Sequence, residues 1–232
     1  MIVAGAAHFF HLPDWAGPVA RYMLHTGVPG TLRIAVLAVL GSAIVGTLLG
    51  TFFTMRVPPV RWAIRGYIEV WRGLPIIVTI FILYFALPDL HLRLSAFNAA
   101  ALGLTLWGSA QVAEATRGAI QSVPREQHEA AAALGFGWLA TQRHVILPQA
   151  FRRLLPPLVS LLVNVVQNTT IAALIGVAEV LQSGQRSVER LQLTPPEGNS
   201  HAFEIYGAVL VMFFVISFPL TRLASFLEKR LV

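Results

Sequence analysis

Thr31 to Phe53 is an apolar run of 23 residues whose sole charge, Arg33, stands near its start. As a helix it would extend about 35 Å, more than the ~30 Å hydrocarbon core of a bilayer. Such a run either crosses a membrane or needs a large protein core around it. The chain has 232 residues, of which 56% are hydrophobic and only 12% charged. That is about half the charged share of a soluble domain, and a chain of this size has no interior large enough to hide so much apolar surface. A lipid environment solves the problem, and an all-α integral membrane protein is the expected fold class.

Four further apolar runs follow. Leu74 to Leu87 is the second, and Trp62 to Trp71 before it is expected to extend the same helix into the interface. Leu94 to Ala115 is the third. Leu154 to Leu181 is the fourth, long and interrupted by polar residues, and Phe203 to Leu223 is the last. Five transmembrane helices are therefore expected. The first 28 residues are apolar but carry Pro13, Asp14, Pro18 and Arg21, which suits an amphipathic segment lying along the membrane surface. No basic residue precedes the first apolar stretch, which argues against a cleaved signal peptide. The expected division is an interfacial segment over 1–28 and a transmembrane domain over 29–232, with a cytoplasmic loop at 124–150.

Basic residues set the orientation. Arg56, Arg61, Arg65 and Arg72 follow the first span, and Arg117, Arg125, Arg143, Arg152 and Arg153 follow the third. Arg222, Lys229 and Arg230 close the chain. These twelve fall on one side, against five (Arg21, Arg33, Arg93, Arg186 and Arg190) on the other. The expected topology places the N-terminus outside and the C-terminus in the cytoplasm.

Composition also excludes several chemistries. Cysteine is absent, which removes disulfides, thiolate metal sites and a cysteine nucleophile. Lys229 is the single lysine and does not follow a glycine, so the chain has no P-loop and is not its own ATPase of that type. His8 and His11 are about one turn apart without a third ligand. Ser42, Ser109 and Ser160 have no intramembrane histidine to activate them, so no catalytic residue and no metal site is expected. Nothing points to a nucleic-acid partner.

The most unusual segment lies between the third and fourth spans. Pro124 can open a helix, Glu126 and Glu129 suit its positive end, and Gly135 and Gly137 can break it. A second short helix from Trp138 is expected to lead to Pro148 and the next span. Leu134, Phe136, Trp138 and Leu139 are too apolar to lie bare in water. Periodicity alone leaves two readings open: a docking surface for a partner, or a loop folded back on its own bundle.

Within the membrane, Asn164, Gln167 and Asn168 are spaced to share one helical face, and Thr169 and Thr170 follow directly. Polar groups at this depth either face a cavity or hydrogen-bond between helices, and three amides exceed what simple bonding between helices needs. Gln111 and Glu114 share a face of the third span, where Glu114 either meets a substrate ammonium or pairs with Arg117. Ser42, Gly46 and Gly50 form a small-residue stripe suited to close helix packing. Pro75, Pro88, Pro148, Pro156 and Pro157 are expected mostly at helix starts and ends.

The order Glu129-Ala130-Ala131, Gly135, Val145 and Leu147-Pro148 resembles the EAA loop of ABC importer permeases, with Val145 where isoleucine is usual. The stretches TLRIAVLAVL from Thr31, WRGLPIIVTIFILYFALP from Trp71, AEATRGAIQSVP from Ala113 and ALIGVAEVLQ from Ala173 are similar to those of the polar-amino-acid permease family. The resemblance runs from about Gly27 to the C-terminus. It implies the type I ABC importer permease fold and amino-acid transport by alternating access across a bacterial inner membrane. The loop becomes a coupling helix that docks on a separate ATPase, with Glu129, Ala130, Ala131, Leu134, Gly135 and Phe136 at the contact. The implied pathway residues are Asn164, Gln167, Asn168, Thr169, Thr170, Gln111 and Glu114. The implied partners are an ATP-binding cassette ATPase dimer, a second permease chain, identical or homologous, an external amino-acid-binding protein and membrane lipid. No cofactor belongs to this chain, since ATP and Mg would be bound by the ATPase. The family commonly has a charged polar pair before the Thr/Ser position, where this chain has uncharged Gln167-Asn168. Two readings compete: a self-sufficient secondary transporter or channel, which predicts internal repeats that the sequence does not display, and a membrane-embedded scaffold, which would not need the polar face at Asn164 to Asn168.

Overall fold

The computed structural model describes residues 13–55, 57–193 and 200–231, and no strand occurs among them. The first helix, α1 (Ala16–Phe52), is 37 residues long. At 1.5 Å per residue that is about 55 Å, so its ends extend beyond a ~30 Å hydrocarbon core. No break separates its first turns from the span that begins at Thr31. His8, His11 and Arg56 lie outside the described residues.

The next two helices, α2 (Pro58–Gly73) and α3 (Ile76–Leu90), meet at 100°. This corrects the expectation that Trp62 to Trp71 prolongs the second span. Proline disfavours the helical region for the residue before it, so Leu74 is extended at ψ 136° ahead of Pro75. The chain turns there, and hydropathy alone does not register the corner. The remaining helices are α4 (Ala96–Gln121), α5 (Arg125–Ala133), α6 (Trp138–Ile175), α7 (Val180–Gln192) and α8 (Ala202–Leu231).

By length and apolarity, α1, α6 and α8 can each cross a membrane, and α2 with α3 make a fourth candidate if the bent pair counts as one. The expected third span, α4, is not among them. Its apolar positions are mostly small, and Ala99, Ala100, Gly103, Gly108, Ala110 and Ala113 are buried against neighbouring helices instead of facing lipid. It is the central post of the bundle. Ser95 caps it by accepting the Asn98 N–H at 3.2 Å, worth about 1 kcal/mol.

The small-residue stripe of α1 packs on this post. A β-carbon on Gly46 would meet the Ser109 carbonyl oxygen at 2.6 Å, and one on Gly50 would meet that of Ala113 at 2.4 Å. Ser42 is fully buried and donates to the Thr105 carbonyl at 3.3 Å. Overpacking such a contact typically costs about 1–3 kcal/mol. The main core then fills with Ile34, Ile80, Leu104, Leu161 and Val165 from four helices. A smaller cluster of Ile120, Ile146 and Leu154 holds the cytoplasmic end by the expected topology, and Met23, Val180 and Ile205 hold the opposite end.

The prolines behave differently from expectation. Pro75 does stand at a helix start, but Pro148, Pro156 and Pro157 all lie within the continuous helix α6. Three wide turns explain part of this tolerance. The N–H groups of Val28, Leu87 and Leu147 each bond five residues back, to Met23, Ile82 and Gln142. Each is followed directly by a proline: Pro29, Pro88 and Pro148. Proline has no N–H to give and its ring crowds the carbonyl four residues back, so a widened turn relieves the strain without ending the helix.

The fourth span also ends earlier than expected, at Ile175 rather than Leu181. Gly176 takes a left-handed φ of 82°, and the Gly176 and Val177 N–H groups close the helix onto Ala173 and Ala172. The chain restarts at Val180 with Glu179 as the cap, its Oε1 accepting the Gln182 N–H at 2.6 Å. Thr31 of α1 locks this corner, accepting the Val180 N–H at 3.2 Å. Gly30 makes room for it, since a β-carbon there would sit 2.0 Å from the Ala178 carbonyl oxygen.

Candidate transport pathway and coupling surface

One helix carries both candidate sites. Near the far end of α6, Asn164 and Gln167 are exposed, Asn168 and Thr170 are half-buried, and Thr169 is buried. The expected shared face is therefore present for the amides. Asn168 donates through Nδ2 to the Asn164 carbonyl at 2.8 Å, and Thr170 donates to the Gln167 carbonyl at 2.8 Å. Thr169 donates to the Val166 carbonyl at 2.7 Å. Side chains that bond back to their own helix compete with its ladder, and the α-helix tightens into 3₁₀ geometry over Thr169–Ile175. None of these bonds reaches another helix, so the cluster does not join helices within this chain.

Gln111 comes within the same space. A cavity of about 320 Å³ opens between α4 and α6, walled by Trp107, Gln111, Leu158, Ser160 and Asn164. Neither Trp107 nor Ser160 was expected in the pathway from sequence. A signal existed, because Trp107 stands four residues before Gln111 and Ser160 four before Asn164, each pair sharing a helical face. Glu114 stands apart from this set. It lines a different pocket with Arg61, Arg65 and Arg72, and Arg117 Nε donates to its Oε2 at 3.2 Å. Of the two readings open for Glu114, pairing with Arg117 is the one realised.

The coupling candidates sit at the other end. Helix α5 exposes Glu129 and Ala130, while Ala131 is buried and seats the helix on the bundle. Its end is a closed cap: Gly135 adopts φ 80°, its N–H bonds to Ala132 at 2.9 Å, and the Phe136 N–H bonds to Ala131 at 3.0 Å. Leu134 is 75% exposed, Leu139 69% and Phe136 40%. The loop is nevertheless tied down. Trp138 stacks on Phe52 at 6.1 Å, Gln149 donates to Gln127 at 3.2 Å, and Arg153 donates to Ser122 Oγ at 2.7 Å. The segment is thus rooted in the bundle while its apolar side chains stay bare. Among the described residues no His, Asp or Glu group is arranged to hold a metal ion.

Residues 31–232 match the family of binding-protein-dependent transport system inner membrane components, and the chain belongs to that family. It is a transport component of the membrane and not an enzyme. The glutamine transport system permease protein GlnP of Escherichia coli strain K12 is 36% identical over 221 residues, covering 94% of this chain and 97% of GlnP. The probable glutamine ABC transporter permease protein GlnM of Bacillus subtilis is 34% identical over 210 residues, covering 90% and 93%. Among solved structures, an amino acid ABC transporter crystallised with histidines superposes with a TM-score of 0.78 at 29% identity, over 95% of this chain and all of that one. The inward-facing MetNI methionine ABC transporter shares the fold at a TM-score of 0.73 and 16% identity.

Proposed function

We propose that this chain is the permease subunit of an ATP-driven importer of polar amino acids in a bacterial inner membrane. One observation carries the reading: a single continuous helix, α6, joins the bare apolar loop at Leu134 to Leu139 with the uncommitted amides Asn164 and Gln167. The loop offers an ATPase surface its lever, and the amides line the route that the lever opens and closes. The relatives named above act with glutamine or amino acids, and amides suit such a substrate because they both donate to carboxylates and accept from ammonium groups.

In this reading the assembly holds two permease chains, an ATPase dimer that binds ATP and Mg, and an external binding protein that delivers the solute. Closure of the ATPase dimer moves both coupling helices, and the bundle alternates between outward and inward access. Five spans, an external N-terminus and a cytoplasmic C-terminus accompany it. Pathway residues are Gln111, Asn164, Gln167 and Asn168, with Thr169 and Thr170 at the edge, while Glu114 is committed to Arg117.

The test is uptake of labelled glutamine into vesicles carrying this chain with its co-purifying ATPase and external binding protein. Uptake that requires ATP is expected. Accumulation without ATP, driven by an ion gradient, would sink the reading in favour of a secondary transporter. Orientation is tested by cysteines placed singly in the thiol-free chain at Leu139 and Gln192, both exposed. Only the second should react with an impermeant thiol reagent in intact cells.

A further inference from the structure

The amphipathic helix α2 is three-sided. Ile64 and Ile68 are buried against Ala113 of α4, while Trp62 is 79% exposed on another flank. Arg61, Arg65 and Arg72 occupy i, i+4 and i+11 positions, which fall on one line along a helix. That line faces the end of α4, where Glu114, Arg117 and Gln121 complete a pocket of about 240 Å³. Four guanidiniums meet only two carboxylates there.

Two of the arginines are already engaged. Arg65 pairs with Glu69 at 3.2 Å, and Arg117 is held by Glu114 and lies 5.7 Å from the centre of the Phe53 ring. Arg61 and Arg72 have no carboxylate within ion-pair distance among the described residues. Like charges four residues apart on a helix repel one another, so the row is stabilised by an anion seated against it. Guanidinium groups suit phosphate because their paired N–H groups match its oxygens.

The position of α2 selects the source of that phosphate. It crosses α3 at 100°, so if α3 runs along the bilayer normal, α2 lies close to the membrane plane. The exposed Trp62 has the amphipathic ring expected at the headgroup level. We infer that Arg61 and Arg72 form a site for the phosphate headgroup of an anionic phospholipid at the cytoplasmic membrane surface. The inference rests on the orientation proposed above, but its test does not involve transport.

The test is native mass spectrometry of the full chain with its co-purifying subunits, delipidated and titrated with phosphatidylglycerol or phosphatidylcholine. Phosphatidylglycerol should be retained preferentially, and Arg61→Gln with Arg72→Gln should weaken it about 25-fold, since each basic residue near an anionic surface adds about a fivefold preference. Arg61→Lys with Arg72→Lys should keep part of the preference, which controls for folding. Equal retention of both lipids, or an unaltered preference in the Gln pair, overturns the inference. Displacement of phosphatidylglycerol by millimolar inorganic phosphate also overturns it, assigning the pocket to a soluble anion. A cysteine at Trp62 labelled only from outside would refute the orientation while leaving the mass spectra unchanged, so the two failures are separable.

Discussion

The two ends of α6 are opposites. At one end, Leu134, Phe136 and Leu139 bare apolar surface in a loop that the proposed topology places in water. At the other, Asn164 and Gln167 bare amides in a stretch that is mostly apolar from Leu154 onward. Each end has the wrong polarity for its surroundings, and each therefore implies a different neighbour. Exposed leucine in water is relieved by protein, and an exposed amide in a bilayer is relieved by a water-filled route or a second chain. Rooting differs as well. The loop is tied to α1 and α6 by Trp138, Gln149 and Arg153, whereas the amides are tied only to their own helix.

Variants can break this contrast, and the largest effect is expected at Gly135. Its φ of 80° is closed to proline, whose ring holds φ near −65°. Gly135→Pro also removes the N–H that bonds to Ala132. Uptake should fall to background while membrane abundance stays near normal, because no side chain lies within 4 Å of the site. Glu129→Lys should reduce uptake less, by weakening ATPase retention during purification. Normal uptake in both variants would falsify docking by this loop.

Asn168→Leu sharpens the other half of the contrast. A loss of roughly tenfold in uptake, or a changed substrate preference, is expected with ATPase retention intact, about the net worth of one hydrogen bond. A fall in folded yield with unchanged specific uptake would instead make the amides a contact between chains. Thr169→Val should have the smallest effect. Its buried hydroxyl serves only the Val166 carbonyl, so about 1 kcal/mol of stability is at stake, read as a small shift in thermal unfolding. A large uptake defect with normal stability would move Thr169 from the edge of the route to direct contact with the substrate.

Much of this architecture was legible because hydropathy and helical spacing are local properties. The runs beginning at Thr31 and Phe203, and the shared face of Asn164 and Gln167, needed no knowledge of neighbours. The misreadings occurred where backbone geometry changes without a change in polarity. Val177, Val180 and Leu181 are as apolar as the span before them, so the turn at Gly176 left no mark in hydropathy. The corner at Leu74-Pro75 was masked in the same way. The pairing of Gln111 with Asn164 across a cavity depends on how α4 and α6 cross, which no single segment encodes. Glu114 shows the same limit, since its spacing fitted either partner and only the fold selected Arg117.

The wide turn at Gln142–Ile146 has one further consequence. About 39 Å of unbroken helix separates Trp138 from Asn164, so the loop and the amides share a single angular phase, as two cams do on one shaft. The turn holds that phase. Deleting one residue there would rotate everything beyond it by about 100°, aiming Asn164 away from the cavity while the other side chains remained present. In the proposed mechanism the inserted residue is thus a timing element, whose value lies in the angle it sets between the loop end and the amide end of one helix.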